Sequence, residues 1–259
     1  MIYDLRFTIS GLLVLIPLAL GSTMKAIAQS SDAALTARTF NWKVSRAGKT
    51  QYLAYVPEGY SRKAGKRWPL VLFLHGAGER GTNLQRVAMH GPPKLVRQGK
   101  EFPFVLMAPQ CPEGERWQND ALLKLLDHVV RDYAVDPNRV YLTGLSMGGY
   151  GTWKLAVAHP EKFAAIVPIC GGGETIDVLL AARERAAALK SLPVWAFHGA
   201  KDPVVSLEES ERMVNALKKL GSQQVKLTVY PEAQHDSWTE TYNNPQLYEW
   251  LLQHQRKSQ

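Results

Sequence analysis

The stretch Tyr141-Leu142-Thr143-Gly144-Leu145-Ser146-Met147-Gly148-Gly149-Tyr150-Gly151 constrains this chain more than any other. An apolar run from Val140 to Thr143 ends in Gly144-x-Ser146-x-Gly148, and a helix-like segment from Tyr150 to Ala158 follows at once. A serine on a sharp turn between a strand and a helix has its hydroxyl pushed out of the sheet edge in a strained backbone conformation. The flanking glycines are needed because a Cβ there would strike the neighbouring strand and helix. The helix that starts at the turn aims its N–H groups and the positive end of its dipole at the same spot. Ser146 is therefore a candidate nucleophile. The competing reading is a glycine-rich strand–helix turn with Ser146 incidental.

The rest of the chain repeats the strand–helix alternation. Trp68 to Leu74 is a continuous apolar run, the mark of a strand buried on both faces. Phe104 to Ala108 is a second, Ala164 to Ile169 a third, Pro193 to Phe197 a fourth and Val225 to Tyr230 the last. Helices are expected over Ala121–Tyr133, capped by Asn119 or Asp120, and over Ile176–Leu189, Leu207–Leu220 and Gln246–His254. Asp136-Pro137-Asn138 reads as a turn. Ahead of these, Phe40–Val44 and Gln51–Val56 alternate apolar and polar residues around Gly48 and read as an antiparallel hairpin. The expectation is an α/β fold with about eight strands. The central sheet is mostly parallel, with right-handed crossovers, helices on both faces and the ligand site at the carboxyl ends of the strands. The 20 or so residues between Cys170 and Pro193 suffice for one crossover helix and not for a large lid.

Length and composition agree with one catalytic-size domain. The chain has 259 residues, 46% of them hydrophobic, enough for one sizeable core. Residues 1–28 stand apart: Arg6, an apolar run from Gly11 to Leu20, then Ala26-Ile27-Ala28. This pattern reads as an export signal cut near Ala28, leaving 29–259 as one periplasmic or secreted domain without a stable membrane anchor. The net charge of +8 is spread along the chain without an aromatic-interleaved basic strip, which argues against a nucleic-acid partner. Cys111 and Cys170 each end a strand. Two strands are expected between theirs, which puts them roughly 14 Å apart at about 4.8 Å per strand, beyond the ~7 Å that a disulfide spans. Two free thiols are expected.

A serine hydroxyl needs a base to take its proton, and the base needs a carboxylate to fix its tautomer. His90, His128, His159 and His254 lie in positions typical of surface or packing histidines. His198 ends a strand and is suited to pack against, or hydrogen-bond, the loop that follows. His235 lies in a loop after the last strand and is the expected base. Asp202 follows a strand by a short turn and is the expected acid; Glu232 and Asp236 stand too close in sequence to His235 to reach its far nitrogen. The expected oxyanion donors are the N–H of Met147 and one from His75-Gly76-Ala77. Position favours Ala77, with Gly76 and Gly78 as alternatives because a backbone donor leaves no side-chain signature. Trp117, Tyr150 and Trp238 flank these loops and form a candidate substrate rim, with ordinary packing as the competing reading. Glu79 and Arg80 either contact substrate or pair with each other.

The loop after the first apolar strand also contains a formal G-x-G-x-x-G, Gly76 to Gly81, with Glu101 some 20 residues on. A dinucleotide site would need a helix directly after it and a second strand ending at the acid. Gly91-Pro92-Pro93 interrupts the first, and no strand ends at Glu101. No cofactor and no metal is expected.

Five blocks carry a resemblance: His75-Gly76-Ala77-Gly78-Glu79-Arg80-Gly81, Ala108-Pro109-Gln110-Cys111-Pro112, Gly144 to Gly151, Pro168-Ile169-Cys170-Gly171-Gly172-Gly173, and His198-Gly199-Ala200-Lys201-Asp202. Over about residues 38–256 the chain resembles the exported carboxylesterase, or predicted-peptidase, group of the α/β-hydrolases. That group is similar to polyhydroxybutyrate-depolymerase-like and feruloyl or acetyl-xylan esterases. The resemblance implies a Ser146–His235–Asp202 triad, Ala77 and Met147 as oxyanion donors, and small-molecule or polysaccharide-linked ester substrates. A serine peptidase on the same fold and a non-catalytic exported binding protein are the alternatives.

Overall fold

The computed structural model describes residues 48–62 and 65–256. The export signal read in residues 1–28 and the first arm of the hairpin, Phe40–Val44, lie outside the described residues. Seven strands form one sheet: β1 (Tyr52–Tyr55), β2 (Trp68–Leu74), β3 (Val105–Pro109), β4 (Val135–Leu145), β5 (Ala165–Ile169), β6 (Val194–Gly199) and β7 (Val225–Tyr230). Their spatial order is β1-β3-β2-β4-β5-β6-β7. Only β1 runs antiparallel, against β3. The second arm of the expected hairpin is thus this edge strand, and the count among the described residues is seven rather than about eight.

The parallel strands bury both faces, and their side chains divide with a period of two. Leu70, Leu72 and Leu74 of β2 face one core, with Val105 and Met107 of β3 and Val140 and Leu142 of β4. Helices α2 (Asn119–Asp132), α3 (Met147–Ala158), α4 (Thr175–Ser191) and α5 (Leu207–Lys219) cover that face, led by Leu122, Leu126, Trp153, Val178 and Met213. Val71 and Phe73 face the other core, under α1 (Gly91–Arg97), α6 (Trp238–Asn243) and α7 (Pro245–Gln253). Each buried Leu, Val or Phe removes enough apolar area from water to contribute about 1.5–3 kcal/mol, so the two cores together hold the sheet against its conformational entropy.

Four local expectations need correction. Gly91-Pro92-Pro93 does not interrupt a helix; it opens α1, with proline in the first turn where a missing N–H costs nothing. Asn119 and Asp120 are inside α2, whose N-cap is Gln118 without a side-chain cap bond. Asp136-Pro137-Asn138 is not a turn between elements. It lies within β4, where the pairing with β2 jumps from Trp68–Val135 to Leu70–Val140. The surplus residues on β4 bulge out, Asp136 Oδ1 accepting the Asn138 N–H at 2.9 Å. Finally, the segment after His235 contains α6, too short to show a helical period. The chain between β5 and β6 is filled by α4, as a single crossover helix with non-helical backbone at Arg185 (φ −132°, ψ 30°).

Cys111 and Cys170 are both free and buried, and β2 and β4 separate their strands. Among the described residues no helix is long and apolar enough to cross a membrane.

Candidate active site

β4 runs out at Leu145, and α3 starts at Met147. The single residue between them, Ser146, has φ 52° and ψ −118°, a region a residue with a Cβ enters only under constraint. Packing supplies the constraint. An ideal Cβ on Gly144 would lie 2.4 Å from the Gly148 carbonyl oxygen, and one on Gly148 would lie 2.0 Å from that of Leu74. Without side chains at both positions, the first turn of α3 can sit directly on β2 and β4. The Ser146 N–H donates to Ile169 O at 3.0 Å and faces Cys170 Sγ at 3.3 Å. Cys170 itself has φ 39°, so the two non-glycine residues with positive φ among the described residues lock each other.

His235 reaches this turn from the loop after β7. Its Nε2 lies 3.0 Å from Ser146 Oγ, and its Nδ1 lies 2.8 Å from Asp202 Oδ2. A carboxylate only accepts, so Nδ1 carries the proton and Nε2 is free to accept from the serine hydroxyl. Asp202, in the loop after β6, is fully buried at its side chain. Its other oxygen, Oδ1, accepts the N–H groups of Val204 at 2.8 Å and Val205 at 3.0 Å. Burial pushes its pKa up, but the bonds from His235, Val205 and Val204 together outweigh that and hold it below the usual carboxylate range. The three residues expected to act together are therefore brought together, each at the carboxyl end of a different strand.

The loop after β2 forms the other wall. His75 is buried and neutral: burial lowers its pKa to about 4. Its Nδ1–H donates to Gly76 O at 2.6 Å, and its Nε2 accepts from the Cys111 N–H at 3.0 Å. Gly76 is extended (φ −76°, ψ −178°), and Ala77 begins a short 3-10 turn, Ala77–Glu79. Ala77 and Met147 are thus each the first residue of a helical turn, where backbone N–H groups have no partner within the turn itself.

The three aromatic rim candidates separate. Tyr150, 36% exposed, stands at the site and donates its hydroxyl to Glu209 Oε2 at 3.3 Å; burial and then the Glu209 charge raise its pKa to about 12. Trp238 opens α6 and meets His235 edge-on, centroids 5.2 Å apart, and also meets His90 edge-on at 5.4 Å. Beside it lies a cleft of about 150 Å³ lined by His90, Lys94, Gln98, Thr239 and Asn243. Trp117 is not on a rim. At 6% exposure it packs edge-on against His75, donates Nε1–H to His75 O at 3.1 Å and fills the space that a Cβ on Gly151 would need. Arg80 and Glu79 do not pair: Arg80 donates to the carbonyls of Ala77 and Glu115, while buried Glu79 faces His90 at 3.7 Å.

Cys170 Sγ, an Asp202 oxygen and a His235 nitrogen lie within 4.8 Å of one another. Burial raises the Cys170 pKa, which disfavours the thiolate that a metal would need, and the Asp202 and His235 atoms are turned toward each other. Sequence reasoning missed Cys170 as a partner of Ser146; its position after an apolar run carries no signal of that role.

The sequence model of the Phospholipase/Carboxylesterase family matches residues 116–246, from the base of the site to α7. The chain belongs to this family. Within it, the fold is the α/β-hydrolase fold. A solved thermostable esterase is 34% identical, with a TM-score of 0.68 over 84% of this chain and 62% of that one. Poly(3-hydroxyalkanoate) depolymerase C of Paucimonas lemoignei is 30% identical over 164 residues, 57% of this chain. Probable feruloyl esterase C of Aspergillus terreus is 26% identical over 209 residues, 78% of this chain and 73% of its own length. The chain spans only 37% of the depolymerase's length.

Proposed function

We propose that this family member is a serine esterase in which Ser146 is the nucleophile, His235 the general base and Asp202 the orienting acid. The observation that carries the reading is the position of His235, with Nε2 3.0 Å from Ser146 Oγ and Nδ1 2.8 Å from Asp202 Oδ2. His235 takes the serine proton as Oγ attacks the ester carbonyl. The tetrahedral oxyanion is met by the N–H groups of Met147 and Ala77 and by the positive end of α3. His235 then gives the proton to the departing alcohol, and a water that it deprotonates releases the acid from Ser146. Asp202 keeps the Nδ1 tautomer and balances the imidazolium. No step calls for a metal or an organic cofactor.

The substrates are carboxylic esters of short acyl chains, or acetyl and feruloyl groups on polysaccharide. The names of the similar proteins support this class, and so does the connection between β5 and β6, which holds one crossover helix and no long insertion. Tyr150 and Trp238 are the aromatic groups placed to touch the substrate. The leader pattern in residues 1–28 supports export to the periplasm or medium. The test is covalent labelling by a fluorophosphonate, in wild type and in Ser146→Ala, followed by turnover of p-nitrophenyl acetate and octanoate, methyl ferulate and a peptide anilide. Labelling of wild type alone with ester turnover supports the reading. No labelling, or turnover of the anilide alone, overturns it.

A further inference from the structure

His198 is fully buried at the end of β6 and belongs to none of the steps above. Its Nε2 lies 2.9 Å from Val205 O and 3.3 Å from Asp202 Oδ2. Both neighbours only accept, so Nε2 carries a proton. Its Nδ1 lies 2.8 Å from Ser210 Oγ of α5, and that hydroxyl lies 2.8 Å from Gly171 O. Val205 is therefore held at both ends: its N–H by Asp202 Oδ1 and its carbonyl by His198.

The contacts close a circuit. From Ser146 N the path runs to Cys170 Sγ, through the chain to Gly171 O, then to Ser210 Oγ, the His198 ring, Asp202 Oδ2 and His235, and back to Ser146 Oγ. Every side chain in it except Ser146 and His235 is out of reach of substrate. The other ionisable groups near His198 are accounted for. On α5, Glu209 is turned to Tyr150 and Arg212. Just past β5, Cys170 is a thiol held neutral by burial.

We propose that His198 is a positioning residue for Asp202, setting both the place and the effective charge of the carboxylate that His235 faces. The inference rests on the esterase reading. His198 puts an N–H against Oδ2, the same oxygen that receives His235 Nδ1–H, and so draws off part of its negative charge. It also prevents the 202–206 loop from rotating Oδ2 away from the imidazole.

The two parts of the role have opposite signatures. Loss of loop placement alone weakens the Asp202–His235 contact, and the acid limb of kcat/KM moves to lower pH. Loss of the Nε2–H with the loop still in place leaves Oδ2 more negative, favours the imidazolium of His235, and moves the acid limb to higher pH. The variants are His198→Leu, His198→Gln, whose amide N–H takes the place of Nε2–H, and Ser210→Ala, which removes the brace on the ring. His198→Leu is expected to lower kcat by roughly 10- to 100-fold, the scale of small displacements of catalytic groups. KM should stay within about twofold, and the acid limb should fall by about half a pH unit or more, because the displacement that lowers kcat also weakens the Asp202–His235 contact. His198→Gln should recover most of kcat and return the limb toward wild type. Ser210→Ala should lie between the two, and it carries the test if His198→Leu does not fold. Unchanged kcat in both His198→Leu and Ser210→Ala, or a lowered kcat that His198→Gln does not restore, overturns the proposal. A proton NMR titration of the His235 Nδ1–H reads the same displacement without turnover, so it still judges His198 if wild type proves inactive on esters.

Discussion

Gly148 faces the carbonyl of Leu74 so closely that an ideal Cβ would stand 2.0 Å from its oxygen. Backbone atoms cannot swing aside as a side-chain tip does, so Gly148→Ala must push α3 off β2. The expected cost is about 3 kcal/mol or more, at the upper end of overpacking changes, with loss of Ser146 labelling in whatever folds. Gly78, in the loop beside the site, has no atom within 4 Å of its ideal Cβ and no positive φ. Gly78→Ala should change stability by less than about 0.5 kcal/mol. Denaturant melts of the two variants check the contrast.

Ser146 combines two properties that separate by mutation. Ser146→Ala should lower kcat by about 10⁴ to 10⁶ with little change in melting temperature. Ser146→Gly should be equally inactive yet more stable, by about 1 kcal/mol, because glycine relieves the cost of φ 52°. A glycine variant no more stable than the alanine variant would remove the argument that the turn stores strain.

The donor role proposed for Ala77 is open to a clean deletion. Ala77 is the first residue of its turn, where proline fits, and the preceding Gly76 is already extended as a residue before proline must be. Ala77→Pro should therefore fold normally and lose only an N–H, lowering kcat by roughly 10² to 10³ with KM nearly unchanged. A wild-type kcat would move the donor to Gly76 or Gly78.

His75 makes stability depend on pH. Its folded pKa, about 4, lies below the unfolded value of about 6.5, so the unfolded chain binds a proton first as pH falls. The stability tied to neutral His75 is fully present above pH ~6.5. It is lost as pH falls toward 4, a change on the order of 3 kcal/mol. In His75→Gln the slope of unfolding free energy against pH should be shallower across that window by about one proton. Equal slopes would mean that His75 does not carry the effect.

What the sequence made legible follows from which signals are local. Ser146, Asp202 and His235 each stand just past an apolar strand, and strand ends in a parallel sheet converge, so their meeting could be read before any coordinates. The two strands between those of Cys111 and Cys170 and the single crossover at α4 were readable for the same reason. Trp117 was misread because an aromatic beside a glycine-rich loop looks alike whether it faces solvent or fills a gap. The better signal was Gly151, a glycine inside a helix, which marks a close approach by something large. α6 escaped because six residues hold less than two helical turns. The bulge in β4 looked like a turn because Asp-Pro-Asn ordinarily makes one. The contacts of Cys170 and Ser210 are set by how separate elements dock, which no local pattern records.

His235 meets Ser146 across 89 residues of chain, and the meeting needs β5, β6 and β7 already laid down in order beside β4. Pairings so distant in sequence form late and slowly. Chemistry at Ser146 is therefore a clock for the end of folding: a chain lacking only its last strand and loop holds the strained serine turn without His235. Recovery of fluorophosphonate reactivity after dilution from denaturant would time the closing of the sheet's far edge rather than its initial collapse.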